Sequence, residues 1–284
     1  MDSCHGGSSL ESLREPDCPV RASMQGRPRY ALASRLRLCY HRSVMTTFDH
    51  AATGIPLALA SASPRRRELL GYLGASFRIV VTDAEEHDSA PPPSIIALLP
   101  PLALPLFDHP TLRAWRKASA ACTAAPGSVI IGADTIVVLD GRVLNKPVDP
   151  EDARRMLCSL SGRTHTVYTG LAVIDPRRTS ARPLFDLVAS EVTVAELSCS
   201  EIDAYVATGE PLDKAGAYGI QGLGGRLVRL VSGSYTCVVG LPLVETHRLL
   251  CSAGVTGLRD PVDSYRRWLI DQGKEPLPCP PTLP

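Results

Sequence analysis

The sequence predicts an α/β fold in which a mixed β-sheet is flanked by helices. An apolar strand at residues 55–60 leads into a helix at 64–73 and then into a second strand at 77–81. Further along, two long strand-like segments at 164–175 and 185–197 follow each other directly, which favours antiparallel pairing. Alternating strands and helices followed by consecutive strands indicate one sheet with both kinds of pairing.

Short local signals predict the remaining elements. Asp140-Gly141 between two apolar runs predicts a hairpin turn. Asp149 followed by Pro150 predicts an N-cap and the first residue of a helix. Apolar spacing places the other elements, which are a helix at 115–125, strands at 128–131 and 135–139, a helix at 199–208, and strands near 227–230 and 236–239.

Composition divides the 284-residue chain into a central domain and irregular ends. Residues 1–54 are rich in Ser, Arg, Pro and Gly, so we expect a disordered extension. The predicted domain covers 55–258 and contains a proline-rich insertion at about 88–110, where runs of prolines oppose regular helix and central strand. Residues 259–284 are interpreted as a C-terminal tail that carries one short amphipathic piece at 262–270.

Charge and apolar content exclude two broad classes of partner. Lys plus Arg total 30 and Asp plus Glu total 29, so the formal charge of +1 provides no field for a nucleic acid polymer or an anionic membrane. The longest apolar stretch, 95–107, is interrupted by prolines and too short to span a membrane. Nine cysteines without a Cys-x-x-Cys pair, and an acidic N-terminus without an apolar core, favour a reducing cytoplasmic compartment over secretion.

A first candidate site lies between the first predicted strand and its helix, in Ser61-Ala62-Ser63-Pro64-Arg65-Arg66-Arg67. Ser63 is a good N-cap and Pro64 suits the first helical position, so free backbone N–H groups face outward here. Three arginines at this end oppose the helix dipole, and a bound phosphate chain would remove that conflict. The segment predicts a phosphate site, with a solvated basic helix end as the alternative.

A second candidate is Asp134, which interrupts an apolar strand within Gly132-Ala133-Asp134-Thr135. A carboxylate there is costly to bury unless it binds a metal, pairs with a cation or acts as a base. A divalent metal and Lys146 are both candidate partners, and an ion pair without catalytic meaning is the alternative. Glu85 and Glu86 could add carboxylates to the same metal or form only a charge pair in a loop.

Two further segments carry polar groups whose chemistry is less specific. The segment 161–166 is rich in hydroxyl donors, and its His165 is interpreted as a packed or surface residue rather than a general base or metal ligand. The glycine-punctuated loop at 213–222 presents Lys214, Tyr218 and Gln221. The Gln221 amide donates and accepts at once, as recognition of a uracil or thymine edge requires.

Together these segments resemble the Maf family of nucleotide pyrophosphatases, relatives of the inosine triphosphate pyrophosphatases. The matching motifs follow the family's order and cover nearly all of the predicted domain: 59–66, 132–135, 145–147, 161–165, 213–222 and 238–242. The resemblance implies an elongated mixed sheet with a substrate cleft between two lobes, and commonly a homodimer. It also implies Mg²⁺- or Mn²⁺-dependent hydrolysis of a nucleoside triphosphate between the α and β phosphates. The pattern around Gln221 is similar to the branch acting on dTTP and UTP.

The resemblance further implies a role for each candidate residue. The implied site consists of phosphate-binding Ser61, Arg65 and Arg66, cationic Lys117 and Lys146, Asp134 as base or metal carboxylate, Glu86 as a second metal ligand, and Gln221 facing the nucleobase. Attack of water on a polyanion needs such neutralisation of charge and a carboxylate that accepts the proton.

Two departures from the family pattern keep other hypotheses open. Cys237 stands where the family generally has Asn, and the insertion at 88–110 is unusually long and rich in proline. The leading hypothesis is a house-cleaning enzyme that converts dTTP, UTP or modified pyrimidine triphosphates to the monophosphate and pyrophosphate. The alternatives are a catalytically weak nucleotide-binding regulator, for example of cell division, and a metal-independent protein-interaction domain.

Overall fold

A computed structural model describes residues 55–82, 90–178 and 182–274. In these residues seven strands form one sheet, with helices on both of its faces. The strands are β1 (Leu57–Ala60), β2 (Phe77–Ile79), β3 (Val129–Leu139), β4 (Arg142–Leu144), β5 (Thr164–Ile174), β6 (Leu184–Val194) and β7 (Val228–Ser232). The α-helices are α1 (Pro64–Tyr72), α2 (Pro93–Ile96), α3 (Pro110–Ala121), α4 (Pro150–Leu160), α5 (Cys199–Val206), α6 (Tyr235–Val239), α7 (Leu243–Ser252) and α8 (Pro261–Asp271).

The sheet is mixed, as the sequence predicts. Its order is β2-β1-β3-β5-β6-β7, with the short β4 paired to β3. β1 runs parallel to both β2 and β3, whereas β3, β5, β6 and β7 are antiparallel to their neighbours. The change of pairing occurs at β3, which therefore joins the two halves of the sheet.

Two apolar clusters hold the helices against the sheet. The larger cluster contains most of the buried leucines and valines and packs α1, α4, α5, α7 and α8 on one face. The smaller one lies under α3 and consists mainly of alanines, together with Ile130. Because alanine side chains are short, α3 lies unusually close to the strands beneath it.

Two glycines allow that close approach. A Cβ atom at Gly132 of β3 would lie 2.2 Å from the Ala114 carbonyl oxygen, and one at Gly170 of β5 would lie 2.2 Å from the Thr111 nitrogen. Both distances are far shorter than any real Cβ contact, so only glycine fits beneath α3 at these positions. Gly132 and Asp134 point to the same face of β3, so the helix also passes over the carboxylate.

The edge of β3 beside β1 has a gap. β1 pairs with β3 up to Gly132, and β4 pairs with β3 only from Val137 onward. Within the described part of the chain, residues 133–136 therefore have no strand partner on that edge, just beyond the carboxyl end of β1. In α/β sheets, ligands bind outside the carboxyl ends of strands where the strand order changes direction.

The structure corrects several predicted elements. The predicted strand at 236–239 is wrong, because Ser234 caps helix α6 by accepting a hydrogen bond from the Cys237 nitrogen and Gly240 ends it. The strands predicted at 128–131 and 135–139 are one continuous strand, β3. Helix α3 begins earlier than predicted, at Pro110, because the His109 side chain caps it. Within the proline-rich segment, α2 forms a single helical turn starting at Pro93.

Helix α8 extends the packed part of the chain beyond the predicted domain boundary. Its Trp268 has no exposed surface and donates a hydrogen bond of 3.0 Å from Nε1 to Glu68 on α1. Tyr72 at the end of α1 also donates to Asp271 of α8. The predicted extension at 1–54, the last ten residues of the tail and residues 88–89 of the insertion lie outside the described residues. Within the described part, no helix is long and apolar enough to cross a membrane.

Replacing Trp268 with Ala will test whether α8 belongs to the cooperative fold. We expect a loss of about 3–5 kcal/mol in the free energy of unfolding, because a fully buried indole is removed. Ile270→Ala on the same helix is the control, because that side chain is 62% exposed and should change stability by less than about 0.5 kcal/mol. Urea denaturation measures both; equal stabilities would show that α8 does not contribute to the core.

Gly132→Ala will test the close approach of α3 to the sheet. The added methyl group must displace the helix backbone, so we expect a loss of about 1–3 kcal/mol or more in the free energy of unfolding. Gly71→Ala in α1 is the control, since nothing lies within 4 Å of its Cβ position. That substitution should leave stability unchanged or raise it slightly. A Gly132→Ala protein as stable as its parent in urea would contradict the packing described above.

Candidate active site

Arg66 connects three elements at the gap in the sheet. Ser63 caps α1 by accepting a hydrogen bond from the Arg66 nitrogen, which fixes the start of the helix directly after β1. The Arg66 guanidinium then donates to the Gly240 carbonyl oxygen at 2.9 Å, to Ser61 Oγ at 3.3 Å and to Thr135 Oγ1 at 3.1 Å. These three contacts fix the position of a positive charge next to the unpaired part of β3.

Two threonines continue this hydrogen-bond network across the sheet. Thr135 Oγ1 and Thr169 Oγ1 are 2.8 Å apart, and Thr169 donates its proton to the Cys237 carbonyl oxygen at 2.8 Å. The proton between the two hydroxyl groups must therefore come from Thr135. One chain of hydrogen bonds therefore connects α1, β3, β5 and α6.

Asp134 forms a buried ion pair with Lys117 of α3. Lys117 Nζ lies 2.7 Å from Asp134 Oδ1, and the two side chains are only 6% and 12% exposed. Sequence reasoning named Lys146 as a candidate cation, but the cation that contacts the carboxylate is Lys117. The pair is a direct consequence of the close packing of α3, because a more distant helix would not bring the ammonium group within hydrogen-bond reach.

The second oxygen of Asp134 differs from the first in lacking a donor. Among the described residues Asp134 Oδ2 is buried and has no hydrogen-bond partner. Arg113 approaches this oxygen, but its Nη1 is 3.9 Å away, beyond hydrogen-bond distance. A buried carboxylate oxygen without a donor is costly, so it is expected to serve a ligand, a water molecule or a metal ion.

Asp134 lines a cleft of about 290 Å³ at the gap in the sheet. Arg113 and Thr135 share its lining with Asn145 and Lys146, which follow β4 on the other side. Ala215 of the glycine-rich loop, residues 213–222, also lines the cleft. The volume is close to the lower limit for small-molecule pockets, and the lining combines one carboxylate with two cations.

Arg65, which precedes Arg66 on α1, lies within electrostatic range of Asp213 at the start of the glycine-rich loop, residues 213–222. Burial opposes ionisation of Asp213, but a hydrogen bond from Lys214 and the charge of Arg65 together hold the pKa of that carboxyl below its usual value. Arg65 is therefore close to the segment that leads to Gln221. It does not line the cleft beside Asp134.

Gln221 is positioned by two anchors in its loop. On one side Tyr218 contacts His165 at 2.8 Å between OH and Nε2. On the other side Glu210 accepts hydrogen bonds from the backbone nitrogens of Leu223 and Gly224. Gln221 itself does not line the cleft beside Asp134, but in the described part of the chain its Oε1 is buried and has no hydrogen-bond partner.

His165 is a packed residue, in agreement with the sequence interpretation. It is 3% exposed, and burial lowers the pKa of its imidazole to about 4, so the ring is neutral at pH 7. Its ring meets that of Tyr218 edge-on, with centroids 5.5 Å apart. His165 therefore supports the glycine-rich loop from β5 and lies away from the cleft lining.

Cys237 lies inside the protein rather than in the cleft. Its side chain is fully buried, with Sγ 3.2 Å from the Val188 carbonyl oxygen and 3.7 Å from that of Val167. Burial raises the pKa of the thiol, so it is an unreactive neutral group. Its backbone carbonyl accepts the hydrogen bond of Thr169 and so belongs to the network around Thr135.

The structure thus brings together most of the predicted site residues. Asp134 and Lys146 share the cleft, and Lys117 contacts Asp134. Arg66 contacts Thr135 of the cleft lining, and Ser61 contacts Arg66. Glu85 and Glu86 lie outside the described residues. Sequence reasoning missed Thr135, Thr169 and Arg113; the signal for Arg113 was its position four residues before Lys117, which places both on one helix face.

Comparison with known proteins identifies relatives along most of the chain. The family model described as Maf-like protein matches residues 56–253. Proteins named dTTP/UTP pyrophosphatase are 50% identical in Shewanella denitrificans, over 68% of this chain and 94% of the relative, and 49% identical in Moorella thermoacetica, over 70% and 95%. A protein of the same name in Escherichia coli O157:H7 is 48% identical over 74% of this chain and 98% of its own length.

Among solved structures, the Ham1 protein of Staphylococcus aureus gives a TM-score of 0.31 at 13% identity, covering 50% of this chain and 72% of that one. A likeness of this size supports no statement about the site. The family model and the near-complete coverage of the relatives, together with the motifs gathered at the gap in β3, show that the chain belongs to the Maf family.

Proposed function

We propose that this protein hydrolyses nucleoside triphosphates, dTTP and UTP first, to the nucleoside monophosphate and pyrophosphate. The observation that carries the proposal is the buried Asp134 carboxylate at the cleft, with one oxygen paired to Lys117 and the other without a hydrogen-bond partner in the described part of the chain. The names of the relatives, which are dTTP/UTP pyrophosphatases at 45–50% identity, support the same activity.

In this proposal Asp134 accepts a proton from the attacking water at Oδ2. Lys117 holds Oδ1 at 2.7 Å and so fixes the orientation of the carboxylate. The ammonium group occupies Oδ1, so Oδ2, which has no hydrogen-bond partner among the described residues, is the oxygen assigned to accept the proton. A positioned carboxylate that removes the proton from water contributes about 10²–10⁴-fold to the rate of such a reaction.

The phosphate chain is held by the cations that surround the gap. Arg66 and Ser61 lie at the start of α1, where the helix N-terminus favours a negatively charged ligand. Lys146 provides charge from the opposite side of the cleft, and Arg65 from the side facing the glycine-rich loop. Fixed positive groups around the reacting phosphates stabilise the charge that develops in the transition state.

The residues at the cleft also fit a divalent metal ion, Mg²⁺ or Mn²⁺. In the described residues no group of three or more His, Cys, Asp or Glu side chains could hold a metal by itself. The unpartnered Oδ2 of Asp134 fits the pattern in which Mg²⁺ takes one or two carboxylates and completes its shell with phosphate oxygens and water. Glu86 is the second proposed ligand. When bound, such an ion neutralises phosphate charge and polarises the reacting phosphorus centre.

Recognition of the base is assigned to Gln221. Its buried Oε1 lacks a donor among the described residues, as an acceptor waiting for a ligand N–H would. Uracil and thymine offer an N–H flanked by carbonyl oxygens, which suits an amide that donates and accepts. Cys237, one of the two departures that favour the alternative of a catalytically weak regulator, lies outside the cleft lining.

We also propose a homodimer in a reducing cytoplasmic compartment. The five cysteines in the described part of the chain are all free, as expected where thiols stay reduced.

Asp134→Asn will test the proposed base. The amide cannot accept the proton from water, so we expect pyrophosphate release from dTTP and UTP to fall by about 10²–10⁴-fold. Asp140→Asn is the matched control, because Asp140 is an exposed residue in the turn after the same strand and its left-handed backbone suits Asn. That variant should keep full activity. Pyrophosphate is measured with Mg²⁺ or Mn²⁺ present.

Loss of activity in Asp134→Asn with retained nucleotide binding supports the proposal. An Asp134→Asn enzyme that keeps its parent's rate would refute the role of Asp134. The parent protein is also tested with dTTP, UTP, CTP, GTP and ITP. Tight binding without release of pyrophosphate from any of them would refute the enzymatic activity and favour the nucleotide-binding regulator.

Gln221→Leu will test base recognition. Loss of the amide should raise KM for dTTP and UTP by about tenfold or more, with a smaller change for CTP, because the hydrogen bonds to the base edge are lost. Leu223→Ala is the control, since this side chain of the same loop is 45% exposed and only its backbone contacts Glu210. Equal KM changes for all nucleotides would mean that Gln221 supports the loop but does not read the base.

A further inference from the structure

We propose that Arg113 is a further substrate-binding residue that contacts the phosphates, and that Asp108 of the proline-rich segment holds it in position. The inference deepens the proposed function, on which it rests. Arg113 lies outside every motif of the sequence, and Asp108 lies in the proline-rich segment that the sequence predicts only as an irregular insertion.

The position of Arg113 on α3 directs its side chain to the reacting centre. It precedes Lys117 by one helical turn, so both residues lie above Asp134. Lys117 contacts Oδ1 of the carboxylate, and Arg113 Nη1 lies 3.9 Å from the other oxygen, Oδ2. The arginine also lines the cleft together with Asp134 and Lys146.

One edge of the Arg113 guanidinium is occupied by the proline-rich segment. Nη2 donates to Asp108 Oδ1 at 3.0 Å, and Nε donates to the Phe107 carbonyl oxygen at 3.0 Å. Nε and Nη2 form one side of the planar group, so these two bonds fix its plane. Nη1 then remains directed toward the cleft, as the distance to Asp134 shows.

A phosphate beside Asp134 needs a cation at this place. The ionised carboxylate and the phosphate oxygens repel each other at short range. Lys117 already donates a hydrogen bond to the other carboxylate oxygen, and Lys146 lines the far side of the cleft. Arg113 is the arginine whose donor group lies next to Oδ2, so it can bind a phosphate oxygen there by a charge-assisted hydrogen bond.

A purely structural role is the competing explanation. Arg113 would then only tie residues 106–108 to α3 through its two bonds to that turn. Such a role predicts a loss of stability on substitution but no change in the affinity for phosphate groups. Binding and stability must therefore be measured separately.

The experiment compares Arg113→Gln, Arg113→Lys and Asp108→Asn with the full-length parent protein. Calorimetry measures the Kd of inorganic tripolyphosphate and of a non-hydrolysable α,β-imido analogue of dTTP at low and high salt. Steady-state assays give kcat and KM for dTTP, and thermal unfolding gives stability. Arg229→Gln is the matched control, because Arg229 is an exposed arginine on β7 that lies outside the cleft lining.

We expect Arg113→Gln to weaken binding of both probes by about tenfold or more and to reduce the salt dependence of Kd, because one phosphate contact is lost. Arg113→Lys should be intermediate, since Lys keeps the charge without the planar fork. Asp108→Asn should raise KM about threefold with little change in kcat, because it only loosens the guanidinium. Arg229→Gln should behave like the parent.

Unchanged Kd values and salt dependence in Arg113→Gln would overturn the inference, even if stability falls. If Arg113→Gln does not fold, unchanged Kd values in both Arg113→Lys and Asp108→Asn would overturn it equally. A parent protein that binds tripolyphosphate but hydrolyses no nucleotide would refute the proposed function. The same Kd values would then still decide whether Arg113 binds phosphate. A parent protein that binds neither probe would overturn the inference as well.

Discussion

The site depends on how closely α3 lies against β3 and β5. The contact exists because Gly132 and Gly170 have no side chain where the helix backbone passes, and because short alanines fill the space between helix and sheet. This spacing brings Lys117 within 2.7 Å of Asp134. A carboxylate buried in the middle of a sheet is tolerated only with such a partner, so packing and charge at the site form a single constraint.

The gap in β3 places two polar side chains at one edge of the sheet. Between Gly132 and Val137 the strand has no neighbouring strand on one edge among the described residues. Asp134 and Thr135 lie within this gap and point to opposite faces of the sheet. The carboxylate therefore meets α3, while the hydroxyl meets Arg66 and the start of α1. One short stretch of strand thus connects the Asp134 carboxylate with the start of α1.

The sequence predicts the mixed sheet, the start of α1, the hairpin after β3 and the importance of Asp134, because each has a local signal. The sequence alone shows the capping residues, the Pro at the first helical position and the carboxylate within an apolar run. The partner of Asp134 is not visible in this way, because it follows from the packing of α3, whose first turn is capped unusually by His109. Helix α6 was predicted as a strand because five apolar and small residues fit either period, and only its Ser234 cap distinguishes them. The place of α8 depends on a single indole that packs from a distant part of the chain.

The side chains proposed to bind the phosphates have more hydrogen-bond partners than the side chain proposed to bind the base. Arg66 makes three hydrogen bonds and Lys117 is buried against its carboxylate, so the groups assigned to the phosphates are held before substrate arrives. At the other end, Tyr218 and Glu210 fix the backbone of the loop, but the buried amide oxygen of Gln221 has no partner in the described part of the chain. An unsatisfied buried acceptor costs about 1–3 kcal/mol, which a matching base would recover on binding. Under the proposed function, selection among nucleotides would therefore reside in Gln221, while the preformed cations would act on the triphosphate that all nucleotides share.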